Sequence, residues 1–393
     1  MKVLLVNPTV PKRFAHPPLG LLYFATICRD RGDEVGIVDG AIVGDAGILA
    51  EAKKFSPDTV GIQIFSIYRH AALRIAALLK AQNPRVKILL GGAHATVMAD
   101  QLKTYPFVDE IFEGNLDTAD ILPAWDMVDL KGVREACISS SIGCPGRCSF
   151  CYNPKLWKKW EGRSPESVVG EMSYLCGRGV REFYFADDCF TDDRDRVIAI
   201  CEGIIDTGHK MKWFCSTRAD VVDEELLFLM KQAGCWRVGI GVESVSPVVL
   251  RGIHKDIPFH IDTVEKAITA AHKAGISTMA AMMVGNPEET DETVRENSDF
   301  LKRIMPTIIT QARGVWLLPG TALYRKAVKA GYISDEFWYS DTPVMYWPFS
   351  QKQLRKWALM LTEFRPFRYF TKRLADRLYI YAPRLHDFLS SSR

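Results

Sequence analysis

The chain has 393 residues, of which 48% are hydrophobic and 25% are charged, and its formal net charge is +3. This length exceeds the size at which one hydrophobic core usually stops growing, so we predict two domains plus an appendage. The composition excludes disordered and fibrous proteins, and the net charge is too small to indicate binding to nucleic acid.

Cysteine usage and apolar run length predict the compartment. The sequence contains ten cysteines, and apart from one triplet they are isolated among apolar neighbours, as in proteins of a reducing environment. No apolar run approaches the ~20 residues that span a bilayer. We therefore expect a soluble, cytoplasmic protein.

Residues 1–125 alternate between short apolar runs and helical spacing. Strands are predicted at residues 3–6, 34–38, 58–64, 87–90 and 108–112, and helices at residues 19–31 and 71–82. This alternation predicts an α/β domain with a doubly wound, Rossmann-like parallel sheet. Ligands of such sheets bind at the carboxyl ends of the strands.

A glycine-rich loop follows the fourth predicted strand. Gly91, Gly92, His94 and Thr96 belong to its sequence Gly-Gly-Ala-His-Ala-Thr. Paired glycines let the backbone approach a ligand closely, although any tight turn between a strand and a helix can also use them.

Cys144, Cys148 and Cys151 place three thiols within eight residues around a Pro-Gly turn, with no fourth ligand nearby. Three cysteines can hold three corners of a [4Fe–4S] cluster and leave one iron open. The alternative is a structural zinc site, which needs four ligands, usually arranged as two pairs. Cys137 has strand-like neighbours and is expected to be a buried apolar side chain instead.

Residues 126–330 contain a second series of strands and helices. Six strands are predicted, at residues 136–141, 182–186, 212–216, 236–242, 277–284 and 310–316. A full eight-stranded barrel needs about 250 residues, more than this segment has, so we predict a partial (β/α)6 barrel like a TIM barrel. Its functional residues should lie at the carboxyl ends of the strands.

Polar or glycine-rich segments follow four of these strands. They contain, in chain order, Asp187 and Asp188, Ser216 and Arg218, Glu243 and Ser244, and Gly285. Each segment alone can be ordinary loop chemistry, and two adjacent carboxylates can also cap a helix or bind a metal. Because all four follow parallel strands, we expect them at one rim of the barrel.

The spacing C-x3-C-x2-C, with an aromatic residue before the third cysteine, resembles the signature of the radical S-adenosylmethionine (SAM) enzymes. The resemblance implies that Cys144, Cys148 and Cys151 bind a [4Fe–4S] cluster whose open iron binds the amino and carboxylate groups of SAM. The reduced cluster then cleaves SAM to a 5′-deoxyadenosyl radical. Phe150 is expected to lie near the adenine.

The same resemblance implies ligands for the methionine part of SAM. Asp187 and Asp188 occupy the family's usual site for the ammonium group, which a carboxylate binds by a charge-assisted hydrogen bond. The Ser216 hydroxyl is suited to the ribose. The Arg218 guanidinium is suited to bidentate pairing with the methionine carboxylate.

Two further segments are expected near the adenosine. The glycines that precede Glu243 and Ser244 permit close approach of the backbone to adenine, and Glu243 is available to the ribose or the ammonium. The segment containing Gly285 ends the strand that lines the adenine pocket in relatives.

The N-terminal motifs, placed directly before the cysteine triplet, resemble the cobalamin-binding domain of the cobalamin-dependent radical SAM family. The resemblance then covers residues 1–330 and implies that cobalamin binds at the loop of Gly91, Gly92, His94 and Thr96. The D-x-H-x-x-G motif that supplies an axial histidine in other cobalamin proteins is absent. We therefore expect a histidine-free mode of binding.

Residues 66–70 are predicted to approach the lower face of the corrin, with Tyr68 and Arg69 as contacts. His70 begins a helix and is expected to be solvated or to cap it. The implied reaction is methylation of an unactivated carbon, with the methyl group carried by the cobalt. The alternatives are radical oxidation, cyclisation or rearrangement without methyl transfer, and a binding protein without catalysis.

Residues 331–393 are predicted to form a helical extension that covers the barrel mouth. In residues 351–393, ten Lys or Arg against three acidic residues give a charge of +7. This segment is expected either to cap the body with a solvated basic face or to contact an anionic membrane surface.

Partners are implied by the same features. Trp338, Tyr339, Tyr346 and Trp347 form an aromatic group suited to a flat or apolar small-molecule substrate, such as a tetrapyrrole or isoprenoid, or they belong to an ordinary core. Radical SAM chemistry also implies a reductant such as flavodoxin or ferredoxin.

Overall fold

The computed structural model describes residues 1–10, 17–116, 118, 120–131, 133, 135–157, 159–255, 260–312, 314–340 and 349–362. Within these residues the chain forms two parallel sheets covered by helices, followed by a helical segment. The α/β class predicted from the sequence is confirmed.

The first sheet contains five parallel strands, which confirms the predicted series. The strands are β1 (Lys2–Asn7), β2 (Glu34–Asp39), β3 (Thr59–Gln63), β4 (Lys87–Gly91) and β5 (Glu110–Phe112). Their order is β2-β1-β3-β4-β5. The order reverses between β1 and β3, and in doubly wound sheets this position marks the ligand crevice at the carboxyl ends of the strands.

Helices cover both faces of this sheet, which explains the continuous apolar character of its strands. They are α1 (Leu19–Asp30), α2 (Gly40–Phe55), α3 (Arg69–Gln82), α4 (Ala93–Val97) and α5 (Ala99–Leu102). Helix α2 was not predicted. It begins where the Asp39 carboxylate accepts a hydrogen bond from the Ala41 backbone N–H (3.0 Å).

The second sheet contains six parallel strands, as predicted for a partial barrel. They are β6 (Glu135–Ile138), β9 (Glu182–Phe185), β10 (Lys212–Thr217), β11 (Cys235–Glu243), β12 (Ser277–Met283) and β13 (Ile308–Ala312), and they follow one another in space from β13 back to β6. The last strand begins two residues before the predicted 310–316 and ends at Ala312. Two short strands, β7 (Ser141–Ile142) and β8 (Glu161–Gly162), pair antiparallel and enclose the cysteine motif.

Helices accompany the second sheet, and the longer ones contribute buried side chains to its core. They are α6 (Asn153–Leu156), α7 (Pro165–Gly177), α8 (Arg194–Asp206), α9 (Glu224–Gln232), α10 (Pro247–Gly252), α11 (His260–Lys273), α12 (Asp291–Ile304), α13 (Ala322–Lys329) and α14 (Gln351–Thr362). In β10, Trp213 and Cys215 are buried under the helices, whereas Phe214 and Ser216 are half-buried. Neighbouring side chains of a strand point to opposite faces, so Phe214 and Ser216 face the barrel interior.

In the described part of the C-terminal extension, Trp338 packs in a cluster with Phe150 and with Met283, the last residue of β12, and the coverage of the barrel mouth stays a prediction. Helix α14 packs against α12, and its Trp357 is buried with an indole N–H that donates to Asp291 (2.7 Å). Trp338 is fully buried in an apolar cluster, so for this residue the core alternative is correct, while Tyr339 is exposed. Tyr346, Trp347 and residues 363–393 lie outside the described residues.

A buried ion pair joins the two sheets and the segment between them. Arg163 Nη1 donates to Glu171 Oε2 (2.5 Å) and to the Tyr23 hydroxyl (2.9 Å), and the Trp125 indole N–H donates to the other oxygen of Glu171 (2.8 Å). Burial raises the pKa of Glu171, but both its oxygens accept hydrogen bonds from strong donors, and the carboxylate raises the pKa of Arg163. We therefore describe the pair as ionised.

None of the described helices combines the length and apolar character that a bilayer span requires.

Replacing Glu171 by Ala should lower the free energy of unfolding by about 3–5 kcal/mol, because Arg163 would be left buried without its counter-ion. The measurement is the urea midpoint of the full chain. Glu166→Ala is the matched control, since Glu166 is an exposed acid in the first turn of the same helix. Equal midpoints for the two variants would contradict the role assigned to the ion pair.

Candidate functional site

The three cysteines of the motif lie on the loop between β7 and α6, at the carboxyl end of the barrel. All three are half-buried free thiols. A Cβ at Gly146 would lie 3.3 Å from Cys144 Sγ and 3.9 Å from Cys148 Sγ, so the glycine leaves a space that a side chain would fill. In the described part of the chain no group of three or more His, Cys, Asp or Glu is arranged to hold a single metal ion.

The electrostatics of the loop favour neutral thiols until a metal is bound. Burial raises the pKa of Cys148, and it raises the pKa of Cys151 to about 11. Two backbone N–H groups donate to sulfur: Gly146 to Cys144 and Asn153 to Cys151, both at 3.4 Å. Hydrogen bonds to thiolate sulfur tune a cluster's potential, and binding of a cluster must displace the thiol protons. The donor set, the space at Gly146 and these N–H groups fit a [4Fe–4S] cluster.

The adjacent carboxylates of Asp187 and Asp188 have different surroundings. Asp187 is buried and accepts hydrogen bonds from the Ser140 N–H (2.8 Å) and from the Ser140 and Ser141 hydroxyls (both 2.6 Å). The predicted contact between Asp187 and SAM conflicts with this placement, because both its oxygens are engaged inside the protein. Asp188 is an exposed residue. Its carboxylate is partly surrounded by protein, and this partial burial raises its pKa to about 6.

Arg218 and Ser216 lie where β10 ends. Arg218 forms a bidentate ion pair with Asp220, through Nε (2.9 Å) and Nη2 (2.5 Å), and these bonds raise the pKa of the guanidinium. Its Nη1 is 3.6 Å from the position of a Cβ on Gly146, so it faces the cysteine loop. Asp220 therefore occupies the Nε and Nη2 edge of the guanidinium. The predicted bidentate pairing of this edge with the SAM carboxylate requires that Asp220 be displaced. Ser216 is half-buried in the barrel interior.

Glu243, at the end of β11, is held in a left-handed conformation with φ 62°. Its carboxylate is 3.0 Å from Lys255 Nζ, which also donates to the Gly241 carbonyl (2.8 Å). A Cβ at Gly241 would lie 2.8 Å from Lys255 Nζ, so a side chain there would displace the Lys255 ammonium. Lys255 was missed by the sequence analysis, because it lies twelve residues beyond its partner in a segment without a recognisable motif.

Ser244 and Gly285 are buried in the protein. The Ser244 hydroxyl bonds to Asn297 Oδ1 (3.2 Å), and the Gly285 N–H donates to Glu289 (2.6 Å). Direct side-chain contact of Ser244 with SAM, as predicted, conflicts with this burial. Both residues instead shape the turns at the strand ends.

Phe150 is half-buried and packs against an apolar cluster that contains Met283, the last residue of β12. The Ser149 carbonyl on the same loop accepts a hydrogen bond from the Leu323 N–H (2.8 Å). The cysteine loop is thereby attached to the end of β12, where the adenine was expected.

A cavity of about 400 Å³ lies between the carboxyl ends of the first sheet and the barrel. Gly91, Gly92 and Thr96 line it from the first sheet, and Ile142 and Ala186 line it from the barrel. Most of its wall is apolar, formed by side chains such as those of Leu5, Leu21, Phe24, Phe65, Leu89, Phe112, Leu156 and Trp157.

Three of the predicted cobalamin contacts line this cavity and three do not. Gly91, Gly92 and Thr96 are in its wall. His94 is fully buried behind the wall, where its Nδ1 bonds to the Ser66 hydroxyl (2.8 Å). Arg69 is also fully buried and donates to the backbone carbonyls of Ser66 (3.0 Å) and of residue 338 (3.3 Å), and Tyr68 is half-buried outside the lining. These placements conflict with direct corrin contacts by the His94 and Arg69 side chains.

The cavity wall fits a large apolar ring system. Gly92 has φ 111°, and a Cβ there would lie 3.1 Å from the Ile64 carbonyl oxygen. A Cβ at Gly20 would meet only Gln63 Oε1, at 3.5 Å. Gly20 therefore leaves open space in the wall of the cavity.

Comparison with known proteins matches both halves of the chain. The B12 binding domain family matches residues 12–121, and the Radical SAM superfamily matches residues 138–301. The second match covers the three cysteines, so the zinc alternative is wrong. The two matches support three cofactors for this chain, namely cobalamin, a [4Fe–4S] cluster and SAM.

Curated relatives include an uncharacterized methyltransferase, PH0819, of Pyrococcus horikoshii, which is 29% identical over an alignment that covers 88% of this chain and 87% of the relative. They also include the anaerobic magnesium-protoporphyrin IX monomethyl ester cyclase of Rubrivivax gelatinosus, which is 28% identical over 75% of this chain and 64% of the cyclase.

The fold is similar to that of TsrM, a radical SAM methyltransferase from Kitasatospora setae whose structure contains cobalamin and a [4Fe–4S] cluster. The TM-score is 0.73 at 20% identity, over 84% of this chain and 78% of TsrM. The chain therefore carries a B12 binding domain followed by a radical SAM domain, and it is an enzyme homologous to cobalamin-dependent radical SAM methyltransferases.

Proposed function

We propose that this enzyme methylates an unactivated carbon of a flat or apolar small molecule. The observation that carries the proposal is the shared cavity: Gly91 and Gly92 of the first sheet and Ala186 at the end of β9 line the same apolar space. Cobalamin bound there would lie between the B12 binding domain and the barrel. When bound, the cluster and SAM supply the radical, and cobalamin supplies the methyl group.

Several residues at the barrel rim are proposed to bind SAM. Asp188 receives the ammonium, since its carboxylate is open to solvent beside the cysteine loop. Arg218 offers Nη1 to the methionine carboxylate, Ser216 and Glu243 are available to the ribose, and Phe150 packs at the adenine. Each of these groups orients the ligand, and the apolar cavity wall excludes water from it.

Other predicted residues are proposed to position these ligands. Asp187 fixes residues 139–141 directly before the cysteine motif, through its hydrogen bonds to Ser140 and Ser141. Lys255 holds the carboxylate of Glu243, and its charge opposes the rise in the pKa of Cys148 that burial causes. Glu243 is thereby fixed in a strained backbone conformation, as is common at functional sites.

The inner wall of the barrel supports a flat substrate. The Tyr184 and Phe214 rings are stacked at 4.5 Å, and Trp236 packs edge-on to Phe214 at 6.1 Å. All three side chains are half-buried. Aromatic walls bind ring systems by stacking and by burial of apolar area.

Radical cyclisation or oxidation is the second candidate. It is favoured by the similarity to the cyclase of Rubrivivax gelatinosus, over 75% of this chain. In that case cobalamin accepts an electron or has no role in the reaction.

We further propose that the enzyme works in the cytoplasm with a reductant such as flavodoxin or ferredoxin. The basic segment of residues 351–393 has a charge of +7. It is proposed to cap the body through α14 with a solvated basic face, and contact with anionic membranes is the alternative.

Turnover with methyl-labelled SAM distinguishes the two candidate reactions. The reconstituted chain, supplied with a reductant and with an indole or a magnesium porphyrin ester as probe, should place label in the product. It should also yield both S-adenosylhomocysteine and 5′-deoxyadenosine. An unlabelled product that is cyclised or oxidised, formed with 5′-deoxyadenosine alone, would contradict methyl transfer and favour the second candidate.

Asp188→Asn should weaken SAM binding at least about 10-fold, because a hydrogen bond to a charged group is lost. Asp187→Asn is the matched variant at the neighbouring carboxylate. It should instead lower the free energy of unfolding by about 1–3 kcal/mol, because buried donors lose their acceptor. Calorimetric titration with SAM and thermal unfolding measure the two effects, and equal loss of affinity in both variants would contradict the separate roles.

Gly20→Leu should abolish cobalamin binding, because its side chain would enter the cavity from a helix without straining the backbone. Gly92 is less suitable, since any side chain there is strained at φ 111°. Gly170→Leu, at a helical glycine with open space around it, is the control. Corrin absorption and iron content are measured after anaerobic reconstitution, and a Gly20→Leu protein that retains cobalamin would refute the assigned cavity.

A further inference from the structure

We propose that Tyr152, Ser66 and His94 are positioning residues that attach the cluster loop to the wall of the cobalamin cavity. The Tyr152 hydroxyl is 2.5 Å from Ser66 Oγ, which is 2.8 Å from His94 Nδ1. This hydrogen-bonded bridge joins residues from the two domains, and we call it the tyrosine bridge. The inference rests on the proposed binding of cobalamin in the cavity.

The direction of the hydrogen bonds follows from the chemistry of the three groups. Burial lowers the pKa of His94 to about 3, so its imidazole is neutral and Nδ1 can accept. Ser66 then donates to His94 and accepts from the Tyr152 hydroxyl. Consecutive hydrogen bonds in a region of low dielectric polarise and strengthen one another.

Each end of the tyrosine bridge lies next to a functional feature. Tyr152 directly follows Cys151, whose sulfur accepts a hydrogen bond from Asn153. Ser66 follows Phe65, which lines the cavity, and His94 follows Gly92 and Ala93, which also line it. A displacement of the cavity wall is therefore transmitted to a cysteine that binds the cluster.

The cavity side of the bridge is rigid. The Ile64 N–H donates to the Gly91 carbonyl (2.8 Å), and the His94 N–H donates to the Ile64 carbonyl (3.2 Å). Arg69 donates to the Ser66 carbonyl (3.0 Å). Ser66 and His94 therefore move with the loops after β3 and β4, and the Tyr152 hydroxyl follows them.

The hydroxyl of Tyr152 is a specific requirement of this arrangement. Phenylalanine would fill the same volume, so packing alone does not explain a phenol here. If the bridge couples the two sites, cobalamin in the cavity must order the cluster loop, and by linkage an ordered loop must favour cobalamin.

The test compares Tyr152→Phe, Ser66→Ala and the double variant with Tyr174→Phe, which removes a phenol hydroxyl on the outer helix α7. Full-length protein with a reconstituted cluster is examined by amide hydrogen exchange of residues 144–156 and by the electron paramagnetic resonance spectrum of the reduced cluster. Without cobalamin, both single variants should exchange about 3- to 10-fold faster in this loop, the scale of one hydrogen bond. The double variant should exchange no faster than either single variant, because both remove the same bridge.

Added hydroxocobalamin should slow exchange of the loop in the wild-type chain and in Tyr174→Phe but not in the bridge variants. An equal effect in Tyr152→Phe would overturn the coupling. Failure of the wild-type chain to bind hydroxocobalamin would refute the proposed cofactor site, a separate result. In that case the tyrosine bridge is tested by the comparison without cobalamin. If the bridge variants then show the exchange rates and the spectrum of the wild-type chain, the proposal is overturned.

Discussion

The buried pair of Arg163 and Glu171 is the interaction on which the rest of the site depends. It fixes α7 of the barrel against Tyr23 of the first domain and Trp125 of the connecting segment. Two parallel sheets each place their ligands at the carboxyl ends of their strands. Because the ion pair locks the two sheets with these ends towards each other, one cavity is shared between them, and cofactors of two separate folds can meet.

Small residues and charged residues occupy different parts of the surface around this shared cavity. Glycines at positions 20, 91 and 92 line the cavity between the sheets, and Gly20 leaves open space there. The rest of the cavity is lined mainly by apolar side chains. Charged groups are concentrated on the barrel rim, where Asp188, Arg218 and Glu243 surround the cysteine loop. A radical intermediate needs dry surroundings, whereas a zwitterionic methionine needs polar partners, and the two requirements are met on neighbouring surfaces.

Much of the fold was predictable because strands of parallel sheets are buried on both faces and appear as short apolar runs. The cysteine motif and the order of polar segments were predictable because they are local in sequence. The side-chain environments of Asp187, Ser244, His94 and Arg69 were not, because partners distant in sequence decide them. Asp220 was visible two residues from Arg218, but nothing in the sequence tells whether such neighbours pair. The roles of Lys255 and Ser66 can be recognised only from their contacts with residues that are distant in sequence.

The pairing of Arg218 with Asp220 has a consequence for selectivity. A carboxylate ligand that binds Arg218 must compete with the Asp220 carboxylate. Asp220 is held at high effective concentration because it belongs to the same chain. Ordinary cellular acids gain little by displacing it, since they exchange one ion pair for another. In the proposed site, SAM would offset this cost through its additional contacts with the cluster iron and Asp188. The Arg218 guanidinium would then be shielded from anions in general and remain accessible to one zwitterion.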